Sequence, residues 1–93
     1  MSKKRFESVW DAIEDTPAAA ENMKLRSALM AALRDHIVRA NMSRVQAAKL
    51  LRVTQPRISD LMRGKINLFG LDALVTMATA AGLKVDLRVR KAA

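Results

Sequence analysis

The stretch SRVQAAKLLRVTQPRISDLMRGK, residues 43–65, decides how this chain is read. Ser43 is followed three residues later by Gln46, the pairing of a capping box, so a helix opens here. Ala47, Ala48, Leu50 and Leu51 continue it. Thr54 has an N-cap side chain, and Pro56 falls in the first turn beyond it, where a missing N–H costs nothing, so a second helix begins. Ile58, Leu61 and Met62 give that helix one apolar face, and Gly64 stops it. Two short helices joined through Leu51-Arg52-Val53-Thr54 predict a helix-turn-helix. Ala47 and Ala48 are small enough for a close crossing, Val53 can plug the turn, and Ile58 and Leu61 anchor the second helix.

Those buried positions leave Gln55, Arg57 and Asp60 outward, with Ser59 and Arg63 beside them. Glutamine can pair its amide with adenine, and arginine its guanidinium with guanine, along the edges exposed in a major groove. Helices that read DNA usually present their N-terminal residues to the bases, which puts Gln55 first and Arg57 next. Thr54, Ser43 and the helix N-termini suit phosphates, and Arg44, Arg63 and Lys65 add charge nearby. A plain helical hairpin explains the apolar positions equally well. It does not explain an outward face of Gln55, Arg57, Arg63 and Lys65 with Asp60 as its single acid.

Upstream, Leu25, Leu29, Leu33 and Ile37 recur every four residues, which predicts a long helix over 18–40 with Asn41 at its exit. Before it, Phe6, Val9, Trp10 and Ile13 form an apolar stripe on a short helix ended at Thr16-Pro17. Two turns cannot stand alone in water. The stripe therefore docks either on the 18–40 helix or on a partner. Downstream, residues 66–70 are a connection and 71–81 a last helix, with Leu71, Leu74, Val75 and Ala78 on one face and Gly82 as its stop. Residues 83–90 then alternate apolar and polar, as a half-buried strand does.

One strand cannot satisfy its own backbone. The expected partner is the same strand of a second copy, paired through Leu83, Val85, Leu87 and Val89 across a two-fold axis. Addition of this strand to a sheet in another protein, and a frayed tail, are the alternatives. The expected architecture is thus all-α: a five-helix domain with a short C-terminal strand across a dimer. Its parts are an N-terminal extension (1–17), the helix-turn-helix domain (18–82) and a dimerisation tail (83–93).

Charge supports an anionic partner. The net charge is +8, and residues 43–65 hold six basic side chains against Asp60, over half of the excess. Charge alone does not separate DNA from RNA or acidic lipid. With no cysteine and one histidine, His36, no ordinary zinc site or thiol nucleophile can be built. Three glycines make no phosphate loop, and no activated nucleophile is visible, so the reading is of a non-enzyme without cofactor or metal. The N-terminus lacks the apolar run of a signal peptide, and no stretch reaches the roughly 18 apolar residues of a membrane span. A bacterial cytoplasmic location, with no membrane partner, is expected.

The runs Gln46-Ala47-Ala48-Lys49-Leu50-Leu51 and Val53 to Lys65 resemble the lambda-repressor-like (XRE/Cro) helix-turn-helix family. The likeness is strong over about 23 residues and looser over 21–82. Leu71-Asp72-Ala73-Leu74, Gly82-Leu83 and the alternating tail look like a subgroup rich in HigA-type antitoxins, encoded beside RelE/HigB-like toxins. The resemblance implies a homodimeric repressor of its own operon, acting on palindromic double-stranded DNA, with a toxin of that kind as protein partner. A free-standing regulator without a toxin, and a module that chiefly neutralises a toxin, are the alternatives. The grip on a toxin would fall to the Phe6–Ile13 stripe or the tail. By the same resemblance Gln55 takes the place of the family's base-reading glutamine, and Arg57 and Asp60 its exposed recognition positions. Arg44 stands where a glutamine is common, which implies a phosphate contact. Arg52 stands where glycine is usual; a left-handed arginine costs about 1 kcal/mol, so the turn is expected to depart slightly from the family's.

Overall fold

The computed structural model describes residues 16–92. Four α-helices follow one another: α1 (Pro17–Arg39), α2 (Arg44–Leu51), α3 (Gln55–Met62) and α4 (Leu71–Ala80), with a 3-10 turn at Ile66–Leu68 between the last two. The start of α1 has a local cause. Thr16 is its N-cap, its Oγ accepts from the Ala19 N–H at 3.0 Å, and Pro17 occupies the first turn. Thr16-Pro17 therefore opens α1, and the short helix expected before it lies outside the described residues.

One core holds the four helices. Met30, Leu33 and Ile37 of α1 meet Ala47, Ala48 and Leu51 of α2, Ile58 and Leu61 of α3, and Leu74, Met77 and Ala78 of α4, with Phe69 inserted between the last two helices. The four-residue row of α1 enters this core only in part. Leu33 and Ile37 are buried, but Leu25 is 42% exposed. A helix turns 3.6 residues per cycle, so a row spaced by four rotates about 40° per step and leaves the contact. Met30, at a neighbouring angle of α1, is buried in its stead.

All four helices end on one device. Asn41 (φ 54°), Arg52 (φ 61°), Gly64 (φ 73°) and Gly82 (φ 83°) each adopt a left-handed backbone at a helix exit. In each case the following N–H turns back onto the last turn: Met42 to the Ile37 carbonyl, Val53 to Ala48, Lys65 to Asp60 and Leu83 to Ala78, at 2.9–3.1 Å. These bonds satisfy carbonyls that a helix end leaves open. The turn after α2 thus adopts left-handed geometry with arginine at its centre.

Two further expectations are corrected. The five-helix count becomes four α-helices among the described residues; the Phe6, Val9, Trp10 and Ile13 stripe lies outside them. The strand at 83–90 is not formed, and no strand occurs among the described residues. Leu83 instead packs on the core as the residue that seals the end of α4. Val85, Leu87 and Val89 then run exposed, at 38%, 75% and 84%. Alternation prescribes which face would be buried in a sheet, but a strand also needs a neighbouring backbone to pair with, and the described residues supply none there.

Candidate nucleic-acid interface

The capping box that opens α2 is complete. Ser43 Oγ accepts from the Gln46 N–H at 3.1 Å, and Gln46 Oε1 accepts from the Ser43 N–H at 2.9 Å. Gln46 is thereby committed to the backbone. The Ser43 hydroxyl keeps its own proton to donate, and the N–H groups of Arg44 and Val45 lie in the unbonded first turn. Thr54 caps α3 by accepting from the Arg57 N–H at 3.3 Å. Pro56 has no N–H, so Gln55 alone offers an open one in that turn. An anion is therefore better served by the N-terminus of α2 than by that of α3.

Helix α3 rests on Ile58 and Leu61, both buried to within about 1%. At about 100° per residue, the direction opposite them falls on Pro56 and Arg63, flanked by Ser59 and Asp60. Pro56 and Arg63 are exposed, and Ser59 and Asp60 half-buried. Gln55 is exposed at the start of the helix, and its side chain makes no hydrogen bond among the described residues. Asp60 pairs with Lys65 at 3.8 Å, which partly neutralises the only acid of the face. Pro56 was missed by reading residue chemistry alone, because it offers no polar group. Helical angle would have found it, and its ring suits an apolar contact such as a thymine methyl.

Four of the expected contact residues converge. Ser43 and Arg44, the N-cap and first residue of α2, and Ser59 and Arg63, in α3 and at its C-cap, line one open crease of about 340 Å³ together with Ile37, Met42, Ile58 and Met62. Two guanidinium groups and two hydroxyls around one concavity make a fit for a backbone phosphate. Thr54 and Gln55 sit at the far end of α3, and Lys65 follows its C-terminus.

Arg57 takes a different course. It lies on the flank of α3 away from this crease, beside Leu51, Arg52, Val53 and the α4 face. Its guanidinium donates to the Leu68 carbonyl at 2.8 Å and sits 4.1 Å from the centre of the Phe69 ring. The structure thus separates Arg57 from the outward set of Gln55, Pro56, Ser59 and Arg63. Among the described residues no cluster of acids, histidine or cysteine could hold a metal ion, and no helix is long and apolar enough to cross a membrane.

Comparison with known proteins agrees with this geometry. A family model described as a helix-turn-helix domain matches residues 12–90. A solved structure named for the XRE family of transcriptional regulators is 33% identical, with a TM-score of 0.72 over 78% of this chain and 82% of that one. Among curated proteins none matches. Neither match singles out the HigA-type antitoxins. With two short helices, a left-handed turn between them and a match over most of its length, the chain belongs to the helix-turn-helix domain family, in its XRE, lambda-repressor-like branch.

Proposed function

We propose that this protein is a sequence-specific DNA-binding regulator of transcription, which represses its own operon as a homodimer on a palindromic site. The observation that carries the reading is the outward side of α3. Gln55, Pro56, Ser59 and Arg63 are presented on a helix backed by fully buried Ile58 and Leu61, beside a crease furnished by Ser43 and Arg44. In this reading Gln55 reads an adenine edge, and Asp60 and Ser59 lie over neighbouring bases. Ser43, Arg44, Thr54, Arg63 and Lys65 hold phosphates. A two-fold dimer sets two such helices about 34 Å apart, in successive major-groove turns on one face of the duplex. Fluorescence anisotropy with the DNA upstream of the protein's own coding region, against a random duplex of equal length, tests it. A preference of about a thousandfold is expected; equal affinity for both would refute it. Sedimentation at micromolar concentration tests the dimer, which a mass of 10.3 kDa would exclude.

A second reading concerns a protein partner. Val85, Leu87 and Val89 are exposed apolar side chains among the described residues, and such residues favour an antitoxin that grips a RelE/HigB-like toxin. Co-expression with the neighbouring reading frame, with and without residues 85–93, tests it. Rescue of growth that is lost on truncation is expected; rescue unaffected by truncation removes the tail from the reading.

A further inference from the structure

We propose that Arg57, although it sits in the recognition helix, reads no base and holds no phosphate. It is a positioning residue that locks that helix to the 3-10 turn and the core. The inference rests on the DNA-reading role of α3 and assigns a job within it. Three observations carry it. The guanidinium lies 4.1 Å from the centre of the Phe69 ring, and that ring is 1% exposed, so its place is set by the core. The same guanidinium donates to the Leu68 carbonyl at 2.8 Å, across eleven residues of chain. And Arg57 borders a different hollow from the crease that gathers Ser43, Arg44, Ser59 and Arg63.

A guanidinium placed over a ring and bonded to a carbonyl is held by two contacts of different kinds. Extending it to a base edge breaks both contacts. A second arginine works on the same turn from another helix: Arg26 of α1 donates to the Ile66 carbonyl at 3.3 Å, while its Nε is held by Asn22 Oδ1 at 2.7 Å. The 3-10 turn is thus tied at Ile66 to α1 and at Leu68 to α3. The tilt of the reading helix follows from that turn, and Arg57 is the tie on the reading side.

The test uses the full chain and the upstream duplex together with its single-base-pair variants, each titrated at several salt concentrations. Arg57→Ala is expected to weaken binding about tenfold, by the same factor on every duplex. The order of preference and the slope of affinity against salt stay as in the wild type. Arg57→Lys keeps the charge but not the flat stacking plane, and is expected to match Arg57→Ala. Phe69→Leu is expected to give the same loss with Arg57 intact, and the double variant no further loss. Melting curves taken alongside show that each variant is folded at the titration temperature.

A loss confined to one base pair makes Arg57 a base reader and overturns the proposal. A salt slope reduced by about one makes it a phosphate contact and does the same. Unchanged affinity, or full binding by Arg57→Lys, also overturns it. One readout needs no DNA: in the free protein the Arg57 side-chain protons should resonate upfield under the Phe69 ring and return to ordinary positions in Phe69→Leu. Ordinary positions in the wild type overturn the contact itself. If the wild type prefers no duplex, the regulator reading fails first, in a titration made without any variant, and the positioning role falls with it.

Discussion

Arg52 and Gln55 stand three residues apart and answer to different forces. Arg52 is held at φ 61° and ψ 45°, a conformation that side chains with a Cβ adopt at a cost of about 1–2 kcal/mol. Glycine removes that cost and adds about 0.5–1 kcal/mol of unfolded-state freedom. Arg52→Gly should therefore stabilise the fold by up to about 1 kcal/mol, a rise of several degrees in Tm by circular dichroism. An unchanged or lower Tm would mean that the arginine side chain stabilises the turn by a contact of its own. Gln55 carries no such structural duty, because its side chain is exposed and unbonded. Gln55→Ala should leave the melt alone. It should lower affinity for the preferred duplex by about 1–3 kcal/mol and relax preference at a single base pair. A uniform loss on all sequences would remove Gln55 from the base-reading set.

At the scale of elements, the helices were readable because their signals are local. Ser43 with Gln46, Thr54 with Pro56, and Gly64 and Gly82 each mark a boundary within a few residues, and the structure places helix ends at those marks. What the sequence did not disclose depends on distant neighbours. Phe69 reads as part of a connection, yet it is a keystone of the core and the platform for Arg57. Arg57 reads as an outward cation until the Phe69 ring is known to lie beside it. The tail reads as a strand because alternation is visible in one chain, while a pairing partner is not. Its first apolar residue, Leu83, is absorbed by the end of α4, and the rest has no backbone hydrogen bond among the described residues. A chain ending at Lys84 should consequently melt within about 0.5 kcal/mol of the full length; a larger loss would show that the tail packs on the body.

At the scale of the molecule, the basic excess and the crease combine. Arg44, Arg63 and Lys65 lie around the reading helix, with Asp60 drawn onto Lys65. If about six phosphates are neutralised, the logarithm of affinity should fall against the logarithm of salt concentration with a slope near −5. A slope near zero would show that the charge plays no part in binding.

The four left-handed helix exits bear as well on how quickly the chain reaches this shape. Three of them, Asn41, Arg52 and Gly64, redirect the chain between successive helices, so α2 and α3 meet locally, whereas α4 packs on α1 from the other end of the described fold. Small helical domains of this kind refold in microseconds to milliseconds. Stopped-flow or temperature-jump experiments on this protein should accordingly record a single fast relaxation.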